Sequence, residues 1–151
     1  MVVNLVKTPK ELLHSPGFLL KRLGGLVKEK TVEAYEGRTP YSYGVLSLLD
    51  QGACATQATI ADALRYDRSY LVGVLDELEE AGLIERRRDS ADRRRHVVSL
   101  TPAGRKELVK LRALHERLDE EFFSALSADE LQTLIGLLAK VAAAQDPRYS
   151  S

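Results

Sequence analysis

A chain of 151 residues, 44% hydrophobic and 29% charged, has the composition of one globular domain or of a small domain with helical extensions, which excludes a disordered or low-complexity protein. No apolar run approaches the roughly 20 residues of a membrane-spanning helix, and a single cysteine, Cys54, excludes an internal disulfide framework, so a cytoplasmic setting is expected. Lys+Arg and Asp+Glu balance at 22 each, yet residues 105–151 carry seven basic against eight acidic groups while residues 86–95 carry six arginines against two aspartates.

In chain order, Thr8-Pro9-Lys10-Glu11 has the form of a capping box and predicts a short helix. Ser15-Pro16 is an N-cap followed by proline at the first helical position. Leu19, Leu23, Leu26, Val27 and Ala34 then fall at helical spacing, which predicts a long helix over 16–35 ended by Gly37. Pro40 is expected to open a second helix with Val45, Leu46, Leu48 and Leu49 buried, closed by Gly52. A third helix is predicted from Thr56 to Leu64. After the turn Arg65-Tyr66-Asp67, Asp67 caps a fourth over 67–81, whose core face is Leu71, Val74, Leu75 and Leu78. Two helices joined by a three-residue turn make a helix-turn-helix.

Leu83-Ile84 and His96-Val97-Val98-Ser99-Leu100 flank the arginine run 86–95 and read as the strands of a β-hairpin, which makes the unit winged. Thr101-Pro102 restarts helix, with Leu108, Leu111, Leu114, Leu118 and Phe122 at three- and four-residue steps. Ser127-Ala128-Asp129-Glu130 is a second capping box before Leu131, Leu134, Ile135, Leu138 and Val141. These two helices find no obvious partner in the small winged unit, so their apolar faces need each other, the first long helix or a second subunit. The fold class is mainly α with a small β-hairpin wing (α+β).

Arginines held out on a hairpin suit phosphates and a narrow, electronegative minor groove, because each guanidinium fork donates two hydrogen bonds to acceptor oxygens. Asp89 and Asp92 are expected to brace the tip, since a carboxylate facing phosphate would be repelled. Arg86, Arg87 and Arg88 alternate in direction along the strand, so not all three face DNA; Arg86 and Arg88 are chosen. In the fourth helix the outward face is Ser69, Val72, Gly73 and Asp76, flanked by Arg68 and Tyr70. Thr56, Gln57 and Thr59 open the third helix, where hydroxyls and free amides hold a phosphate. No G-x-G-x-x-G follows a strand, and the sequence has no P-loop and no nucleophile elbow, so nothing supports an enzyme or a cofactor. His14, His96, His115 and Cys54 share no ligand spacing, so no metal is expected.

The order of elements, with "SPGFLLKRL", "TPYSYGVLSLL", "QATIADAL", "DRSYLVGVLDELEEAGLIERRRDSADRRRHVVSLTPAGR" and "LSADELQTLIGLLAKV", resembles the MarR family of bacterial transcriptional regulators. The resemblance implies a homodimer, with 1–37 and 102–146 as the helical dimerisation region around a winged helix-turn-helix lobe over 40–101. It implies a repressor of a pseudo-palindromic double-stranded DNA operator, released by a small-molecule inducer. By the family pattern Arg94 enters the minor groove, with Arg93 and Arg95 on phosphates. Related proteins commonly carry Thr-Arg where this chain has Val72-Gly73, which leaves Arg68, Ser69 and Tyr70 to read bases directly while Val72 meets a thymine methyl and Gly73 admits close backbone approach. By the same analogy a ligand pocket lies where the first long helix, the second helix and the helix after Pro102 meet, with Arg22, Tyr35, Tyr41, Tyr43 and His115 as its polar groups. Cys54 reads as a small buried hydrophobe rather than an oxidation sensor. A winged module that docks protein instead of DNA, and a DNA binder without ligand, are the alternatives.

Overall fold

The computed structural model describes residues 6–39, 41–52 and 55–150. Helices α1 (Lys10–Leu13), α2 (Pro16–Ala34) and α3 (Ser42–Asp50) precede a two-residue strand β1 (Ala55–Thr56). Helices α4 (Gln57–Leu64) and α5 (Arg68–Glu80) follow, then strands β2 (Ile84–Arg88) and β3 (His96–Leu100), helices α6 (Pro102–Phe122) and α7 (Ala128–Gln145), and a 3-10 turn at Pro147–Tyr149. The architecture is mostly helical with a small three-stranded antiparallel sheet in the order β1-β3-β2.

Local chemistry explains the helix starts. Ser15, Thr56, Thr101 and Ser127 each accept a backbone N–H three residues on, and Asp67 accepts from both Ser69 and Tyr70. At Ser127 the capping box is complete, because Glu130 returns a bond to the Ser127 amide at 2.8 Å. The box expected at Thr8 does not form: Pro9 takes the N-cap position of α1 and no side chain caps the helix. The second helix begins at Ser42, with Tyr41 at its N-cap; Pro40 and Cys54 lie outside the described residues.

One core unites the lobe. Val45, Leu46 and Leu49 of α3, Ile60 of α4, Leu71, Val74, Leu75 and Leu78 of α5, Ile84 of β2 and Val98 of β3 are buried together. The sequence expectation that the last two helices lack a partner in the lobe holds only for α7. Leu108 and Leu111 of α6 belong to this core, because Gly104 lets the helix start against the root of β2. A Cβ at Gly104 would stand 2.0 Å from the Leu83 carbonyl oxygen, the same oxygen that accepts the Thr101 amide at 3.1 Å. By contrast Leu20, Leu23, Leu26 and Val27 of α2 and Ile135, Leu137, Leu138 and Val141 of α7 remain exposed. Among the described residues no helix is long and apolar enough to cross a membrane.

Candidate nucleic-acid interface

The start of α4, the outward face of α5 and the wing carry the residues singled out from the sequence. Thr56 caps α4, accepting the Thr59 amide at 3.2 Å, while the Thr59 hydroxyl donates to the Thr56 carbonyl at 2.8 Å. Arg65 takes the left-handed conformation (φ 53°) that ends α4 and opens the turn. Asp67 then begins α5, accepting the Ser69 and Tyr70 amides at 3.0 Å each and the Ser69 hydroxyl. Those hydrogen bonds hold its carboxyl below the usual range, led by the Ser69 hydroxyl.

On α5, Ser69, Val72, Gly73 and Asp76 are exposed. Space around Gly73 is open. Arg68 is exposed and lies 3.6 Å from Asp62. Tyr70 packs edge-on against Tyr41 at 4.9 Å, and Tyr41 against Tyr66 at 5.0 Å. Tyr70 is therefore braced on one side by Tyr41 while remaining 45% exposed.

Strand register decides what each wing arginine does. Arg86 pairs with the buried Val98, Arg87 with Val97 and Arg88 with His96. Ile84 is inward, so Arg86 is directed to the same side two residues on. The choice of Arg86 as a DNA contact is accordingly corrected. Its side chain is only 23% exposed and is held by α5, with Nε donating to Glu79 Oε2 at 2.8 Å and Nη2 to Asp76; its backbone N–H donates to Glu79 Oε1 at 3.1 Å. The Arg86 guanidinium holds the Glu79 carboxyl below its ordinary range.

Arg87, which sequence reasoning passed over, points to the opposite face. With Thr56, Thr59, Arg88 and Arg95 it lines a groove of about 580 Å³ between the sheet and the start of α4. The parity of Ile84 was the signal for it. At the tip, the Asp89 carboxylate accepts the Ala91 amide at 2.9 Å and Asp92 accepts the Arg94 amide at 3.0 Å, with Arg95 3.5 Å from Asp92. Arg93, Arg94 and Arg95 are exposed. Gln57 does not line the groove and shares a smaller cavity, of about 340 Å³, with Glu79, Arg86 and His96.

Of the residues expected around a ligand, three come together. The Tyr35 hydroxyl is 2.7 Å from His115 Nε2, and Tyr43 stacks on the same imidazole at 4.1 Å. Burial pushes the Tyr35 hydroxyl up to about 12 and the His115 imidazole down. Tyr41 belongs instead to the tyrosine cluster against α5, and Arg22 is exposed on α2. Two corrections follow: neither joins this crevice, whose free space beside His115, between α2 and α6, is only about 70 Å³. A larger cavity of about 350 Å³ lies between the α2–α3 loop, the end of α5 and α6, lined by Arg38, Ser42, Glu77, Leu78, Leu83 and Glu107. Arg38 reaches Glu107 across it at 2.8 Å. Among the described residues no group of three or more His, Cys, Asp or Glu could hold a metal ion.

The model of the MarR family matches residues 39–96, the stretch that holds α3, the helix-turn-helix and most of the wing. A protein assigned to transcriptional regulation of the hcr operon in Thauera aromatica is 38% identical over 112 residues, covering 74% of this chain and 68% of that one. The transcriptional repressor CouR bound to a 23-mer DNA duplex is similar in structure, with TM-score 0.80, 32% identity and coverage of 91% of this chain and 99% of CouR. CouR from Rhodococcus jostii RHA1 bound to p-coumaroyl-CoA gives TM-score 0.70 at 30% identity, covering 87% and 94%. Sequence, lobe architecture and wing thus agree, and the chain belongs to the MarR family, whose members are transcriptional regulators and not enzymes.

Proposed function

We propose that the chain is a homodimeric, sequence-specific DNA-binding repressor, with 40–101 as the reading lobe and 1–37 with 102–146 as the dimerisation region. The observation that carries this is the groove formed by Thr56, Thr59, Arg87, Arg88 and Arg95 beside the exposed tip arginines. Hydroxyl and guanidinium groups line it together, and the Asp89 carboxylate, which also lines it, already accepts the Ala91 amide. Arg94 enters the minor groove and α5 the major groove. Exposed leucines on α2 and α7 supply the apolar surface that a second copy covers, and two lobes then meet half-sites about 34–36 Å apart.

The DNA-bound and p-coumaroyl-CoA-bound forms of CouR support DNA and an aromatic acyl compound as the two ligand classes. The cavity of about 350 Å³ is large enough for the aromatic head of such an effector. A repressor without effector is the second reading, favoured because Tyr35, Tyr43 and His115 fill the inter-helix crevice with their own rings.

The test is binding of the purified protein to the intergenic DNA beside its own gene, at two salt concentrations, with scrambled competitor and then with p-coumaroyl-CoA. Tight, salt-sensitive, competitor-resistant binding that p-coumaroyl-CoA releases is the expected result. Binding insensitive to the thioester selects the second reading, and no binding at low salt overturns both.

A further inference from the structure

Beyond the lobe itself, the chain's end is anchored to the helix-turn-helix. The 3-10 turn at Pro147–Tyr149 begins at Asp146, whose carboxylate is 7% exposed. This carboxylate accepts the Arg148 backbone N–H at 3.0 Å, Arg148 Nε at 2.9 Å and Arg148 Nη2 at 2.7 Å, and Arg65 Nη1 stands 3.5 Å away. Arg148 Nη1 donates in turn to the backbone carbonyl of Asp62, in the last turn of α4. Arg65 is the left-handed residue that opens the turn, and the Asp62 carboxylate faces Arg68 at the start of α5. A run of contacts therefore leads from the end of α7, through the backbone carbonyl and then the carboxylate of Asp62, to the first residue of α5.

A carboxylate withdrawn from water costs free energy unless paired, and here two guanidinium groups pair it. Hydrophobic packing of the lobe does not require that arrangement, since Ile60, Leu71 and Leu75 already join α4 to α5 in the core. What the cluster adds is a fixed relation between α7, whose apolar face is exposed, and the turn that orients α5.

We propose that Asp146 and Arg148 are positioning residues for DNA reading: they tie the end of α7 to Asp62 and Arg65, so that the placement of α7 sets the orientation of the helix-turn-helix. The proposal rests on the DNA-binding reading above. Positioning matters for base contacts, which tolerate little displacement, and much less for phosphate contacts, which govern nonspecific affinity.

The experiment compares the full chain with Asp146→Asn, Arg148→Ala and Arg148→Lys, measuring oligomeric state, affinity for operator and scrambled DNA, and amide hydrogen exchange over residues 63–66. Asparagine keeps the cap of the 3-10 turn and removes the charge. Asp146→Asn and Arg148→Ala should bind operator about tenfold more weakly, as expected for loss of charge-assisted bonds, with affinity for scrambled DNA unchanged and faster exchange at 63–66. Arg148→Lys, which lacks the fork, should recover only part of the loss. Operator affinity equal to wild type in both variants overturns the proposal, and so does an equal loss on operator and scrambled DNA. Should Asp146→Asn change the oligomeric state, Arg148→Ala decides, because its side chain is nearly half exposed. A wild-type chain with no preference for operator refutes the DNA-binding reading instead, and exchange at 63–66 then tests the tie by itself: unchanged protection overturns it.

Discussion

Arg86 and Arg87 are adjacent in sequence and opposite in direction, so replacing each with alanine separates two kinds of contribution to DNA binding. Arg87 lies on the groove face with its side chain 75% exposed. One phosphate contact per protomer makes two per dimer, and the slope of log affinity against log salt is about 0.9 per phosphate, so Arg87→Ala should make the slope shallower by about 1.8. Arg86 is engaged outside the groove, where it neutralises Asp76 and Glu79 and ties α5 to β2. Arg86→Ala frees four carboxylates per dimer beside the DNA-facing helix. Their repulsion of the phosphates is strongest at low salt, so operator binding should weaken roughly tenfold at the lowest salt and the slope should flatten by much less than the change of about 1.8 expected for Arg87→Ala. The assay is fluorescence anisotropy of labelled operator at four salt concentrations for the three proteins. A slope change for Arg86→Ala as large as that for a lost phosphate contact, or an unchanged slope for Arg87→Ala, would refute the assignment of the two arginines to opposite faces.

Gly104→Ala should cost about 3 kcal/mol or more in urea unfolding, because a methyl 2.0 Å from the Leu83 carbonyl oxygen cannot be accommodated by a side-chain rotation; a loss under about 1 kcal/mol contradicts the α6 packing. Leu23→Glu with Leu138→Glu, on the exposed faces of α2 and α7, should yield monomers in sedimentation, and an intact dimer would relocate the interface. Burial depresses the His115 imidazole, so the unfolded chain takes up its proton first as pH falls through about 6.5, and stability conferred by the neutral form declines below that pH. His115→Gln should flatten unfolding temperature between about pH 7 and 5.5, and an unchanged slope would sink that account. Gly73→Ala should raise stability by about 0.5–1 kcal/mol, since the site is open and helical, and should weaken operator binding if the backbone of α5 approaches DNA there; unaltered affinity argues against that approach.

The long helices were legible because their ends are written in short-range chemistry: Ser15, Asp67, Thr101 and Ser127 cap in the structure as their residue types and neighbours predict. Thr8 failed because proline, one residue on, holds the N-cap position itself. Strand β1 left no local signal, since two residues, Ala55 and Thr56, become a strand only by pairing with Val98 and Val97 across the fold. Burial of Leu108 and Leu111 depended on Gly104 and the Leu83 carbonyl, a long-range fit that helical periodicity does not encode. Within the interface, the wing was visible as a charge run, but the division of labour inside it was not. Counting outward from Ile84 distinguishes Arg86 from Arg87, and only the contact with Asp76 and Glu79 shows why the inward arginine is satisfied.

The recognition face sharpens where specificity of the proposed kind must come from. Ser69 already donates its hydroxyl to Asp67, so toward a base edge it offers lone pairs rather than a free donor. Tyr70 has its ring held by Tyr41, and Asp76 is engaged by Arg86. What α5 presents to solvent is Arg68, which meets only the exposed Asp62 carboxylate at 3.6 Å, the Val72 methyls and the open space at Gly73. One arginine and one apolar contact per half-site discriminate few base pairs directly. In the proposed dimer the remaining discrimination would fall to the tip arginines, as sensors of minor-groove width, and to the spacing between two lobes. A site read this way is recognised by A·T-rich, narrow-groove flanks at a fixed separation more than by a long run of contacted bases. The rigidity of the joint between wing and helix, held at Arg86, then matters as much as any residue that touches DNA.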